Sequence, residues 1–189
     1  APGGKSFTLA QRMEDAGELI AGDLYPQKAA LIQKGAERLG LFSIRAVTAD
    51  ASVFSPQMGL FDRVLCDVPC SGFGIIRRKP EIRYKDLDTL RDLPAVQYKI
   101  LETAAQYVKE GGQLVMGMRN LPAPLQAAMD AMSEAEEETE SVSRRQMKAM
   151  LSGLGFEQMS WHPCGIFSGA LVAWKRNPLA ERFQKGECE

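Results

Sequence analysis

The sequence is poor in the residues that build metal centres and disulfide frameworks. It has one histidine, His162, and four cysteines, Cys66, Cys70, Cys164 and Cys188, among 189 residues. Cys66 and Cys70 lie close together, but no other cysteine or histidine completes a zinc-ligand spacing, so no metal site is expected. So few cysteines in a chain of this length argue against a disulfide framework and for a reducing, cytoplasmic setting. No apolar run is long enough to span a bilayer, and the first residues do not read as a signal peptide. Charge of one sign is also lacking: 23 basic against 24 acidic side chains leave a net charge of -1. Global charge therefore makes no case for nucleic acid, and any such case must rest on a local patch. With 45% hydrophobic and 25% charged residues the composition is that of a globular chain with a real core.

What the sequence does contain is alternation. Phe7, Leu9, Ala10 and Met13 have near-helical spacing over 5–14, and Gly17 breaks the pattern. A short strand over 18–22 ends at Asp23. Pro26 suits the first turn of a helix whose apolar positions are Ala29, Leu31, Ile32, Ala36 and Leu39, closed by Gly40. Residues 43–48 read as a strand ending at Asp50, and 61–66 as a strand ending at Asp67. Residues 71–85 read as a loop, 86–109 as a helix that Pro94 kinks or divides, 111–112 as a glycine turn and 113–118 as a strand. A short helix follows Pro122 and Pro124, and the acidic run 134–140 reads as a solvated face or linker. Ser143 is placed to cap a helix with Met147, Met150 and Leu151 inward. Residues 156–161 and 170–174 read as two closing strands, near enough in sequence to form an antiparallel hairpin, and the polar end is expected to fray. Strands alternating with helices predict an α/β fold with a mostly parallel sheet covered on both faces.

Three expected strands end in an acid: Asp23, Asp50 and Asp67. In open α/β sheets ligands bind at the carboxyl ends of strands. Asp23 follows the glycine loop Pro2-Gly3-Gly4-Lys5 by about twenty residues, the spacing at which an acid meets a ribose hydroxyl pair. The plain alternative is that these acids cap the helices that follow. Gly3 and Gly4 at a helix start allow a carboxylate or other anion to approach backbone amides, although the spacing matches neither a P-loop nor the usual dinucleotide fingerprint. Asp67 is suited to the exocyclic amine and ring nitrogen of a base. Cys70, beside a turn and near Arg77 and Arg78, has the setting that lowers a thiol pKa, whereas Cys66 lies inside its strand and reads as buried and inert. The basic side chains Arg77, Arg78, Lys79, Arg83 and Lys85 fit either phosphates or a solvated loop.

These stretches together resemble the Nop2/Sun (RsmB-like) RNA cytosine-C5 methyltransferases. The resemblance is carried by Ala1-Pro2-Gly3-Gly4-Lys5, Asp23, Asp50, Asp67-Val68-Pro69-Cys70-Ser71-Gly72, the loop from Gly74 to Tyr84, Gly111-Gly112-Gln113-Leu114-Val115, and Gly165 to Ala173. It is close over 1–121 and loose beyond. It implies a Rossmann-like methyltransferase domain over 1–176 with a polar tail over 177–189, binding S-adenosyl-L-methionine. The same resemblance assigns Pro2, Gly3, Gly4 and Lys5 to the methionine part of the cofactor. It places Asp23 on the ribose, Lys28 on a basic position after it, Asp50 near the adenine, and Asp67 near the methionine end and the target base. It also implies a strand ahead of the glycine loop, so the expected fold lacks its first strand and reads as truncated at the N-terminus. In the family one thiol attacks C6 of cytosine and the Pro-Cys thiol, here Cys70, assists product release. The attacking cysteine of the Thr-Cys motif is expected where this chain has Arg119. The expected function is thus an RNA (cytosine-C5) methyltransferase domain acting on ribosomal RNA, with Cys70 and Asp67 at the chemistry. A catalytically inactive cofactor- or RNA-binding module of the same ancestry is the alternative.

Overall fold

The computed structural model describes residues 2–69, 81, 84, 92–119, 144–163 and 168–177. The chain divides into two compact units, Ala1–Val53 and Phe54–Glu189. Together they give an α/β fold that closes on an antiparallel hairpin.

The first unit contains α1 (Gly4–Arg12), β1 (Leu19–Asp23), α2 (Pro26–Leu39) and β2 (Ile44–Thr48). Strands β1 and β2 pair in parallel, from Leu19 opposite Ile44 to Asp23 opposite Thr48. The apolar period of α2 turns Ala29, Ile32 and Ala36 inward. Ala10, Ala21, Ile32, Ala36, Leu41 and Ile44 form the core, with Phe7, Leu19 and Ala46 packed against it. Gly40 ends α2 at φ +66°, a left-handed position that glycine takes without steric cost. The Leu41 N–H then donates to Ala36 O at 3.0 Å and the Gly40 N–H to Glu37 O at 3.1 Å, closing the helix while Leu41 turns into the core. On β2, the Ala46 N–H donates to the Gln33 side chain of α2 at 3.1 Å.

The link between α1 and β1 is tied to the start of β2 by one carboxylate. Asp15, itself at φ +54°, accepts from the Phe42 N–H at 2.8 Å and the Ser43 N–H at 2.9 Å. The Ser43 side chain beside it and these two backbone donors hold the Asp15 pKa below its ordinary value. Ser43 Oγ is buried and falls short of hydrogen-bond geometry, so the two N–H donors account for the geometry of the link.

The second unit contains β3 (Phe61–Cys66), α3 (Leu93–Gln106), β4 (Val108–Arg119), α4 (Arg144–Gly153), β5 (Phe156–Pro163) and β6 (Ser168–Lys175). Its sheet has the order β3-β4-β6-β5. The β3–β4 pair is parallel, while β4–β6 and β5–β6 are antiparallel. The sheets are therefore less uniformly parallel than the alternation of elements predicts. Leu101, Val108, Leu114, Leu151 and Phe156 are fully buried at the centre of this unit. Met147 joins that core and Met150 packs against it, as the helical spacing of the methionines predicts.

Two boundaries differ from the sequence pattern. The helix expected to reach residue 109 ends at Gln106, and β4 starts at Val108. The pair Gly111-Gly112, expected as a turn, lies inside β4. Register shifts between Phe61–Val108 and Arg63–Gln113, so the extra residues form a bulge in one continuous strand. Glycine is required there: Gly111 has φ +74°, and a Cβ on Gly112 would lie 2.9 Å from the carbonyl oxygens of Asp62 and Lys109. Lys175 closes the end of α3, its Nζ donating to Ala105 O at 3.0 Å and Val108 O at 2.9 Å. Tyr107 accepts the Ser55 N–H on its hydroxyl at 2.7 Å and packs its ring on Phe54 at 4.7 Å. The short helix after Pro122, the acidic run, the Ser143 cap and the polar tail past 177 lie outside the described residues. Among the described residues no helix is long and apolar enough to cross a membrane.

Because folding lowers the Asp15 pKa, this carboxylate stabilises the folded chain above its unfolded value near 3.8. That contribution fades as pH falls through the lower folded value. Asp15→Asn keeps a side chain tolerant of the left-handed backbone but removes the titration. Urea unfolding followed across the acid range is expected to show a shallower loss of stability below about pH 4 in the variant than in the parent.

Candidate functional site

In the first unit the parallel pairing delivers two acids to one end. Asp23 is the last residue of β1, opposite Thr48, and Asp50 stands two residues beyond Thr48. The Ala49 N–H donates to Asp23 O at 3.0 Å, extending the pairing past the end of β2. Each carboxylate is then held by one oxygen. Asp23 Oδ1 accepts the Tyr25 N–H at 2.9 Å. Asp50 Oδ1 accepts the Ser52 N–H at 2.8 Å and the Ser52 hydroxyl at 2.7 Å. The Ser52 hydroxyl, then its N–H, holds Asp50 below the usual carboxylate pKa. For both acids Oδ2 takes no hydrogen bond among the described residues, and it can accept two hydroxyl or amine protons.

The helix-capping alternative for Asp23 fails on the same geometry. The N-cap of α2 is Tyr25, with no side-chain cap, and Asp23 instead closes a turn onto the Tyr25 amide. Lys28, expected at a cofactor position, holds its ammonium 4.6 Å from the Tyr25 ring centroid and is exposed.

The glycine loop opens α1 as expected. Gly3 is its N-cap at φ +98°, and the first helical bond runs from the Phe7 N–H to Gly3 O at 2.8 Å. The amides ahead of Phe7 point out of the helix N-terminus, where the helix dipole also favours negative charge. A Cβ on Gly4 would meet nothing within 4 Å, so the backbone there is open to close approach.

In the second unit Asp67 directly follows β3 and is exposed. The next turn is held by α3: Gln97 Nε2 donates to Pro69 O at 2.6 Å. Cys66 is buried, and its thiol pKa is pushed up to about 11, first by burial and then by the Asp67 charge. It is the inert cysteine that its place in the strand predicts. Because Cys66 pairs in parallel with Met116, Asp67 and Arg119 both leave the carboxyl end of one strand pair. Cys70 and the basic positions Arg77, Arg78, Lys79, Arg83 and Lys85 lie outside the described residues. Among the described residues no group of three His, Cys, Asp or Glu is placed to hold a metal ion.

Three site residues went unread in the sequence: Tyr25 and Ser52, which anchor the acids, and Gln97, which anchors the turn after Asp67. The Asp-x-Ser spacing was a usable signal for Ser52. Gln97 acts across 28 residues and carried none.

A fold of strands and flanking helices that closes on an antiparallel hairpin has solved counterparts. The crystal structure of PH0851 superposes at TM-score 0.66 with 22% identity, covering 92% of this chain and 40% of that one. The magnesium protoporphyrin IX methyltransferase of Synechocystis, solved with bound SAH, superposes at 0.54 with 13% identity, covering 90% and 68%. The chain therefore has an α/β fold of the kind found in S-adenosylmethionine-dependent methyltransferases. The 16S rRNA methyltransferase RsmB/F family matches residues 1–164, and the chain belongs to that family. It is 46% identical over 120 residues to a probable ribosomal RNA small subunit methyltransferase B of Bacillus subtilis. That match covers 61% of this chain and 26% of the relative, so the chain spans about a quarter of the length of that protein.

Ser52→Ala removes the first cause of the low Asp50 pKa and leaves the backbone donor. The Asp50 carboxyl-carbon NMR titration is expected to move upward, toward the ordinary value of 3.8. No upward movement would show that the hydroxyl does not hold the acid.

Proposed function

We propose that the chain binds S-adenosyl-L-methionine and serves as an RNA (cytosine-C5) methyltransferase domain acting on ribosomal RNA. One observation carries the cofactor reading: Asp23 and Asp50 stand at one end of a parallel pair, each anchored through Oδ1 with Oδ2 unengaged among the described residues. These residues fit a nucleoside. Asp23 Oδ2 accepts from the ribose hydroxyls, Asp50 from the adenosine end, and the amides opening α1 at Gly3, Gly4 and Lys5, beside Pro2, take the methionine carboxylate. Lys28 keeps to its Tyr25 ring and adds positive charge at this end. Residues 1–176 serve one methyltransferase-like domain in this reading. The neighbour solved with SAH and the family membership support it.

The cofactor supplies an electrophilic methyl group. What the chain supplies is a thiol and an acid. Cys70, as thiolate, adds to C6 of cytosine, which places electron density on C5. After C5 gains the methyl carbon it loses its proton to a base, the electron pair reforms the C5–C6 bond, and the sulfur departs as thiolate. Asp67 accepts from the exocyclic amine and holds the ring in register. Arg77, Arg78, Lys79, Arg83 and Lys85 hold RNA phosphates. A reducing, cytoplasmic setting keeps Cys70 as a thiol.

Arg119 favours a second reading. It ends β4, at the position where the family resemblance expects the attacking cysteine, and a guanidinium cannot act as that nucleophile. The chain would then bind cofactor or RNA without transfer.

Calorimetry and methyl transfer separate these. Asp23→Ala is expected to weaken S-adenosylmethionine binding by roughly tenfold or more, the loss of charge-assisted hydrogen bonds. Unchanged affinity would remove Asp23 from the site. Cys70→Ala is expected to abolish transfer to small-subunit ribosomal RNA while keeping cofactor affinity. Transfer surviving in that variant would show that Cys70 is not the nucleophile. Cofactor binding without transfer in the parent would establish the second reading.

A further inference from the structure

The tip of the Phe7 ring lies close to two glycines. A Cβ built on Gly3 would lie 2.5 Å from Phe7 Cζ, and the same ring carbon would lie 2.5 Å from a Cβ on Gly35. Gly3 caps α1, Gly35 lies inside α2, and both meet the same three atoms at the tip of the ring. A glycine in a helix interior costs helical stability relative to alanine, so its presence in α2 asks for a reason. No positive φ supplies one at Gly35, and the three nearest atoms a side chain would meet there all belong to Phe7. Phe7 is half-buried and packs against the core of this unit, and close-packed contacts pass a displacement on to their neighbours.

We propose that Phe7, seated against Gly35, is a positioning residue that sets where the glycine loop stands relative to Asp23 and Asp50. The inference rests on the cofactor reading above, and it assigns a task to a residue pair that touches no ligand. With no side chain at 35 or at 3, one ring tip comes close to both the α2 backbone and the Gly3 backbone. The loop amides are thereby fixed to the helix that follows Asp23. A methyl group at 35 displaces this ring tip, which is also the contact of Gly3, whose left-handed backbone has no side chain to yield. The loop must move instead. Only the part of the ligand bound by the loop, the amino-acid part, then loses contacts. The adenosine part keeps its acids.

A size-swap cycle reads this directly. Leucine at position 7 ends at its Cδ atoms and lacks all three ring atoms that crowd both glycines. Calorimetric titration compares S-adenosylhomocysteine with 5′-methylthioadenosine, which keeps the adenosine and sulfur but lacks the amino-acid part. Gly35→Ala is expected to weaken S-adenosylhomocysteine by roughly tenfold and to leave 5′-methylthioadenosine within about twofold. Phe7→Leu, which opens a gap on the loop side, is expected to lower the same affinity selectively. The double variant, with the methyl group refilling the space, is expected to recover most of the loss, a coupling that simple destabilisation does not produce. Equal losses for both ligands, additive losses in the double variant, or no loss in Gly35→Ala would overturn the positioning role while leaving the cofactor reading intact. A parent chain that binds neither ligand would instead remove the cofactor reading, and the positioning role with it.

Discussion

Hydrogen bonds join β1 to β2 in parallel from Leu19–Ile44 to Asp23–Thr48, and the Ala49 N–H adds one more to the Asp23 carbonyl. This register is the constraint on which the first unit depends. In a parallel pair both chains leave the sheet at the same end, so an acid that closes one strand is brought beside an acid that follows the other. A slip of one residue would send every side chain of β1 to the opposite face. It would also bring Ile20 or Gly22 to the place where Ala21 now joins the core. The apolar pattern that makes the core is therefore the same pattern that aims the acids.

Anchoring decides what those acids can do. A free surface carboxylate samples many rotamers, and ordering it on binding costs side-chain entropy. Here Oδ1 of each acid is already spent on a neighbouring backbone N–H, so the second oxygen is presented in one place. Ser52 adds its hydroxyl at Asp50 and lowers the pKa of that group. The second unit follows a comparable plan at Asp67. Gln97 reaches from α3 to the Pro69 carbonyl and fixes the chain just past the acid. The neighbouring Cys66 is driven to the thiol form, first by burial and then by the Asp67 charge.

Much of this was legible in the residues. Pro26 and Gly40 bound α2 because proline suits a first helical turn and glycine accepts the left-handed exit, and both effects are local. The acids at the strand ends were legible because each closes or follows an apolar run. Local reasoning failed where tertiary contacts decide. Gly111-Gly112 reads as a turn in isolation, yet pairing with β3 at Val108 before it and at Gln113 after it draws the pair into a bulged strand. The end of α3 moved for the same reason, because Val108 is claimed by the Phe61 pairing and the core. Phe7 reads as one more apolar position of α1, and only the fold shows its ring tip lodged against both Gly3 and Gly35. Anchors such as Gln97 join positions too far apart in sequence for any pattern to relate them.

The central claim is that the first unit receives an adenosyl methyl donor across the glycine loop and the two strand-tip acids. Backbone NMR of the chain titrated with S-adenosylhomocysteine tests it most directly. The account predicts shifts concentrated at Gly3, Gly4 and Lys5, at Asp23 to Tyr25, and at Asp50 to Ser52. Shifts that leave these three stretches unmoved at saturation would contradict it.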